Sequence, residues 1–311
     1  MTATPQRNAN HRLPFRVRFW GVRGSYPTTG SSTRGFGGNT SCVEVETAGR
    51  RLIFDAGTGI IPLGKLIGAD GDARVPSFIF LSHTHIDHVV GLCFFEPLLN
   101  PKNRSFIFGP GTSSNPLAHR LGQLTHGSLF PVSLKEFKGK KKIYSLRGGE
   151  VIRFPSGSRE PIVRRAVVVP ADTPSDLIIT THKSPGHPRD GVMLYRVSYG
   201  GKVLVYATDV EQIAGSYPDI IDFASGADLL IHDAQYLHDE YHSKHKSKKG
   251  WGHSTIEMAA EVARKAKVKR LVLFHHDPIH DDHALRDIAR HSQRLFAASV
   301  VAREGLKISL L

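Results

Sequence analysis

The chain has 311 residues, 40% of them hydrophobic and 22% charged, with 41 Lys and Arg against 28 Asp and Glu for a net charge of +13. That composition describes a soluble, basic, globular protein, whose longest uncharged apolar runs, residues 78–81 and 229–231, fall far short of the roughly 18 residues a bilayer crossing needs. Arg7 and Arg12 lead into no apolar stretch, which argues against a secretory signal, and Cys42 and Cys93 sit in the apolar settings of reduced thiols, so a cytoplasmic address is expected.

Residues 1–14 are polar and without period and are expected to form a loose tail, with order beginning at Phe15. Residues 15–20, 42–47 and 51–54 read as short strands, the last two joined by a turn at Gly49. Between them residues 21–40 hold six glycines with Ser, Thr and Pro; a loop of that length inside a compact domain tends to be functional. Residues 77–81 (SFIFL) have the continuous apolar character of a buried strand, and residues 83–88 are its exit loop. An apolar segment over 89–99, helical at its start, and a strand over 105–108 come next. Lys138 to Lys142 (KGKKK) reads as a solvated turn. Further strands are expected over 163–169, 177–181, 193–199 and 202–207, with Gly200 and Gly201 as a two-residue hairpin turn. Residues 254–267 carry Ile256, Ala259, Ala260, Val262, Ala263 and Ala266 at helical spacing, started by Ser254 as N-cap with Glu257 three residues on. A buried strand over 271–274 and an amphipathic helix over 284–298 close the series, so sheets covered by helices are expected.

Eighteen histidines require a reason. His83-Thr84-His85-Ile86-Asp87-His88 places three imidazoles and a carboxylate within six residues on a loop leaving a buried strand, a donor set suited to zinc and similar divalent ions. These side chains cannot all face one tetrahedral ion. His83 with His85, and Asp87 with His88, therefore suggest two metals, with further ligands from elsewhere.

The H-x-H-x-D-H run after a buried strand resembles the signature of the metallo-β-lactamase-fold hydrolases. The resemblance covers nearly the whole chain and implies a four-layer αββα sandwich, two mixed β-sheets covered by helices, in one domain over 15–311. It adds His187 in Ser-Pro-Gly-His-Pro as the third histidine, Asp209 after the strand over 203–208 as a bridging ligand, and His275 after the strand over 271–274. His182, five residues before His187, and His276, adjacent to His275, are the rivals of those two histidines. The opening Trp-Gly-Val-Arg-Gly-Ser at 20–25 and Gly-Gly-Asn-Thr-Ser-Cys at 37–42 are similar to one branch, the phosphodiesterase-like proteins related to ribonuclease Z and to the cyclic phosphodiesterase of phosphonate breakdown. In that branch a histidine before Ser-Thr at a helix start donates a proton, and His253 matches it. His232, Asp233, His242, His245, His280 and His283 match no position of the pattern and are read as structural or surface residues.

The implied chemistry is phosphodiester hydrolysis on two divalent cations, zinc first and manganese second, with Asp87 and His253 as the catalytic pair. Cys42 and Cys93 fall outside the ligand pattern, so a thiolate nucleophile has no support. Lactone and thioester hydrolases of the same fold also carry a Pro-Gly-His element and form one alternative; a ribonuclease, or a basic nucleic-acid-binding protein whose metal site is structural, forms the other. The +13 charge suits anionic substrates, nucleic acid and small cyclic nucleotides alike. Only 22 positions separate His187 from Asp209, too few for the RNA-gripping arm that ribonuclease Z inserts there. A small phosphodiester, such as a cyclic nucleotide or cyclic sugar phosphate, is therefore expected as substrate ahead of nucleic acid, with no membrane partner. The resemblance also allows a homodimer. The segment from Pro110 to Lys142 is left open as a lid or a second basic surface.

Overall fold

The computed structural model describes residues 13–69, 76–155, 157–165, 176–185, 187, 191–211 and 218–311. The first sheet contains β1 (Phe15–Gly21), β2 (Cys42–Thr47), β3 (Arg50–Phe54), β4 (Ser77–Phe80), β5 (Arg104–Pro110) and β6 (Lys140–Leu146). The second contains β7 (Glu150–Phe154), β8 (Ile162–Arg165), β9 (Leu177–Ser184), β10 (Val192–Tyr199), β11 (Lys202–Ala207), β12 (Leu229–Asp233), β13 (Leu271–Phe274) and β14 (Ser299–Val301). The last strand, β15 (Lys307–Ser309), returns to the first sheet beside β1. The spatial orders are β15-β1-β2-β3-β4-β5-β6 and β14-β13-β12-β11-β10-β9-β7-β8. Each sheet is antiparallel on one side and parallel on the other: β3 to β6 run parallel in the first, β11 to β14 in the second.

The helices are α1 (Ile60–Ala69), α2 (Ile86–Val89), α3 (Glu96–Leu99), α4 (Leu117–Leu124), α5 (Pro218–Ala224), α6 (His238–Tyr241), α7 (Ile256–Lys265) and α8 (Asp282–Leu295). They form the two outer layers of an αββα sandwich. The layering follows from the two-residue period of the strands. Phe78 and Phe80 of β4 face the core between the sheets while Ile79 faces the helices, and Phe106, Phe108 and Ile107 of β5 repeat the arrangement. On β13, Val272 and Phe274 point between the sheets and Leu271 and Leu273 toward α7 and α8. Strands covered on both faces read as unbroken apolar runs for this reason. A ladder of rings crosses the parallel strands, Phe54 on Phe80 at 5.3 Å, Phe80 on Phe108 at 4.8 Å and Phe108 on Tyr144 at 4.8 Å.

Both short hairpins form where glycines allow them. Ala48 and Gly49 take positive φ between β2 and β3, as do Gly200 and Gly201 between β10 and β11, the conformation of a two-residue turn matching strand twist. Other expectations need correction. The Lys138 to Lys142 run is no turn: Lys140 opens β6, the edge strand, where exposed Lys140 and Lys142 alternate with half-buried Lys141. Charges on an edge discourage pairing with another chain, which reconciles a lysine run with a strand. The N-cap of α7 is Thr255 rather than Ser254; Thr255 Oγ1 accepts from Met258 N–H at 3.3 Å, whereas Ser254 Oγ donates to Val210 O. The segment over 89–99 is broken, with a 3-10 turn at Val90–Phe94 between α2 and α3. Strands β7, β12, β14 and β15 add to the expected set. The tail over 1–14 lies outside the described residues except for 13 and 14, and so do residues 166–169 of the strand expected at 163–169. Among the described residues no helix is long and apolar enough to cross a membrane.

Candidate metal centre

Parallel strands present their carboxyl ends to the same side, so the loops that leave them collect there. Asp55 follows β3, Ser82 to His88 follow β4, Asp209 follows β11, Asp233 ends β12 and His275 follows β13. Three of these residues, Asp55 (φ 59), Asp209 (φ 54) and His275 (φ 63), sit in the left-handed region that side chains other than glycine rarely adopt. Each turns the chain sharply off its strand and delivers its side chain across the sheet end. Strain of this kind persists where the surroundings hold it in place.

The hydrogen bonds decide which ring nitrogens face inward. His88 Nδ1 lies 2.8 Å from Asp55 Oδ2, and a carboxylate only accepts, so Nδ1 carries the proton. The same logic places the proton of His187 on Nδ1, against Gly252 O at 3.1 Å, and that of His275 on Nδ1, against Gln235 Oε1 at 2.9 Å. His83 Nδ1 meets Ser82 Oγ at 3.0 Å, and the hydroxyl gives its own hydrogen to Asp55 at 2.8 Å. Four rings are thereby oriented with a bare Nε2 toward one centre. There His88 Nε2 and His275 Nε2 stand 3.1 Å apart, His187 Nε2 is 3.1 Å from His85 Nδ1, and His83 Nε2 is buried with no hydrogen-bond partner. Asp209 lies among them, 3.3 Å from His88 and His275 and 3.7 Å from His83, while Asp87 is 3.2 Å from His88 and 3.3 Å from His275.

Converging lone pairs and carboxylates repel unless a positive charge sits between them. Burial pushes His83 well below its usual value, with help from His88, and burial also lowers His85 and His187, which keeps these three neutral and able to donate electron pairs. Burial opposes ionisation of Asp87 and Asp209, but the imidazoles around them prevail and hold both well below the carboxylate range. His88 is the counterpart: burial disfavours its charge, but Asp209, Asp87 and Asp55 together raise it well above the usual imidazole value. A cation held by Asp87, Asp209 and His88 would stand in for the proton so favoured and leave His88 Nε2 bare toward it. The donor set fits divalent cations. The described groups close enough to share one are His83, His85 and His187; His83, His88 and Asp209; Asp87, His88 and His275; and two that include His253, one with His187 and Asp209 and one with Asp233 and His275.

The profile of the beta-lactamase superfamily domain matches residues 50–276, most of the chain. The chain belongs to the metallo-β-lactamase superfamily. Within it, ribonuclease Z of Nitrosopumilus maritimus (strain SCM1) is 25% identical over 315 residues, spanning 95% of this chain and 99% of that protein. Among solved structures, the metallo-β-lactamase-fold protein YhfI of Bacillus subtilis superposes with a TM-score of 0.65 at 20% identity, over 95% of this chain and 99% of that one. A diphosphatase of the PhnP family superposes with a TM-score of 0.61 at 18% identity, over 94% and 97%. Like the enzymes of this superfamily, the protein is a metal-dependent hydrolase.

Against the metallo-β-lactamase pattern, His83, His85, Asp87, His88, His187, Asp209 and His275 all meet at this centre. The two rival histidines lie elsewhere. His182 Nε2 is 3.1 Å from Asp219, and His276 donates to Ala302 O at 2.9 Å, its burial lowering it to about 3. His253 stacks on His275 at 5.0 Å between ring centroids and lines a cleft of about 340 Å³ with Ser25, His85, Ile86, Asp87, Asp209 and His275.

Several supporting residues lie outside the motif. Asp55 is fully buried and accepts from His88 Nδ1, Ser82 N–H and Tyr206 Oη–H, so one carboxylate fixes a ring and the start of the His83 loop. Asp233, read from sequence as structural or surface, is buried and holds His253 Nδ1 at 2.7 Å. The glycine-rich loop over 21–40 forms one wall of the site. Arg23, fully buried, donates to Gly37 O at 2.8 Å and His280 O at 2.6 Å, and Ser25 N–H donates to Asp87 at 2.8 Å. Gly24 must lack a side chain, because a Cβ there would stand 2.4 Å from His275 Cε1. Gly24→Ala is expected to push His275 off the centre and cut metal affinity about 10–100-fold, the scale set by groups that orient metal ligands. Isothermal titration with zinc against wild type, with circular dichroism to confirm an intact fold, measures it.

Proposed function

We propose that the protein is a dinuclear metal-dependent phosphodiesterase, and the observation that carries this reading is the Asp233–His253 pair beside the histidine cluster. His83, His85 and His187 would hold one cation, Asp87, His88 and His275 the other, and Asp209 would be shared. Zinc is the first candidate and manganese the second, since imidazole and carboxylate suit both. Bound cations supply Lewis-acid charge for the phosphoryl oxygens and ionise water near neutral pH. The chain does the rest. Ser25 N–H holds Asp87 in place, and Asp55, Gln235 and Gly252 fix the rings. His253, with Nδ1 committed to Asp233, keeps its mobile proton on Nε2 for the departing alkoxide. An acyl hydrolase has less use for such a donor next to the cations. We take residues 15–311 as one hydrolase domain, because the proposed ligands come from both sheets. The unpaired, buried Cys42 and Cys93 agree with a reducing cytoplasm.

A small diester is the favoured substrate, because the interval between His187 and Asp209 is largely the β10–β11 hairpin and leaves no arm to grip a folded RNA. RNA cleavage is the second reading, favoured by the relative named ribonuclease Z that matches over 95% of this chain. Protein loaded with zinc or with manganese should contain two ions per chain and hydrolyse bis(p-nitrophenyl) phosphate. Fewer than two ions at saturation, or no metal-dependent turnover, overturns the proposal. Cyclic nucleotides, dinucleotides, structured RNA, lactones and thioesters run side by side separate the substrate readings.

A further inference from the structure

The loop between α6 and α7, residues 242–252, has a composition that the chemistry above does not use. It carries Lys244, Lys246, Lys248 and Lys249 with no acidic residue, and ends in Gly-Trp-Gly immediately before His253. Trp251 is 55% exposed, a large apolar surface left open to water. It stands two residues from His253, so about 7.6 Å at most separates their Cα atoms. Lys248 Nζ lies 4.0 Å from the centroid of its indole ring, a cation–π contact that orients the ring.

The loop is tied down at its base. Glu211, 2% exposed, accepts from Gly250 N–H at 2.5 Å and Gly252 N–H at 2.8 Å, the amides on either side of Trp251, and from Tyr241 Oη–H at 2.7 Å. Gly250 and Gly252 take positive φ (81 and 90), which turns the chain outward and back so that the indole projects while Gly252 O returns to His187. A buried carboxylate thus anchors an exposed aromatic ring beside the cleft, in a stretch of positive charge.

We propose that Trp251 and Lys248 form a platform on which the base of a nucleotidic substrate stacks, with its phosphates drawn by Lys244, Lys246 and Lys249. Every base has a π-face, and an aromatic ring in a basic setting is how proteins hold unpaired nucleotides. The inference rests on the phosphodiesterase reading and narrows it: the diester at the centre carries a nucleobase, so a cyclic sugar phosphate fits poorly, and so does a base locked in a duplex.

The chain has two tryptophans, and a Trp20→Phe background leaves Trp251 as the reporter. Its fluorescence should be quenched saturably in stopped flow by the dinucleotide UpU, and far less by an analogue with the same sugar–phosphate backbone and no bases. Trp251→Ala should raise KM for UpU about 5–150-fold with kcat within about threefold, Trp251→Phe should recover part of the loss, and Lys246→Ala should weaken the salt dependence of binding. Equal quenching by the base-free analogue, or an unchanged KM in Trp251→Ala, overturns the platform. Base-dependent quenching without turnover of any diester supports the platform and tells against the phosphodiesterase reading alone.

Discussion

Asp209→Asn is expected to remove at least about 10²–10³-fold of the hydrolytic activity and most of the metal-induced stabilisation, while the fold survives. The backbone argument comes first. Asp209 sits at φ 54, and asparagine tolerates the left-handed region about as well as aspartate, so the turn after β11 keeps its shape. The side chain keeps its volume at a buried position. What changes is charge and polarity: Oδ1 stands 3.3 Å from His88 and His275 and Oδ2 3.7 Å from His83, and in asparagine one of these oxygens becomes an NH₂ group while the other stays as a neutral carbonyl. An NH₂ group would place hydrogens where the bare Nε2 atoms converge, competing with a cation instead of attracting it. The loss of several kcal/mol of charge stabilisation gives the activity figure. Stability supplies a second readout. A cation that binds only the folded state stabilises it by RT ln(1 + [M]/Kd), about 2.7 kcal/mol at a hundredfold excess over Kd. Wild type should therefore melt higher with zinc than with a chelator, and Asp209→Asn should lose most of that difference. Equal metal content and equal turnover in variant and wild type would remove Asp209 from the centre.

The sequence made the centre visible only where its residues are adjacent. His83, His85, Asp87 and His88 share six positions because the loop after β4 must turn at once into α2, and that compactness is what a reader sees. Asp209 and His275 depend on resemblance and chain order, since nothing local separates them from other polar residues at strand ends. Yet one local signal recurs. Leu-Ile-Phe-Asp at 52–55, Val-Tyr-Ala-Thr-Asp at 205–209 and Leu-Leu-Ile-His-Asp at 229–233 are each an apolar strand running into a carboxylate. Only the middle one was read as functional, although all three are buried and all three serve the site. Gly24 and Gln235 carry no local signal, because their roles exist only once the loop over 21–40 is folded against His275, some 250 and 40 positions away. The fold itself was legible through its period-two and period-3.6 patterns. The exceptions are β6, where a charged edge strand imitates a solvated loop, and β7, β12, β14 and β15, which were missed.

His253→Ala is expected to lower kcat about 10²–10⁴-fold on diesters with alkoxide leaving groups and far less on bis(p-nitrophenyl) phosphate, whose nitrophenolate departs without a proton. That contrast distinguishes an acid from a structural residue, which would affect both substrates alike. The geometry supports the acid role at each step. Asp233 Oδ1 is held by Gln235 N–H at 3.0 Å and Ser254 N–H at 3.2 Å, leaving Oδ2 for His253 Nδ1 at 2.7 Å. Burial opposes a charged His253, but Asp233, then Asp209 and Asp87, outweigh it and raise the ring to about 9. An acid must be protonated to act, so activity on alkoxide diesters falls as pH rises through that value. Cations bound next to Asp209 and Asp87 would offset two of the three raising charges and so lower the basic limb. Asp233→Asn removes the strongest of the three and should shift the limb to still lower pH, with a loss of about 10–100-fold near neutrality and little below the new limb. The double variant His253→Ala with Asp233→Asn should be no slower than His253→Ala alone, because Asp233 acts through the ring. Additive losses, or a pH profile that Asp233→Asn leaves in place, would mean that the pair only supports the wall between β12 and α7.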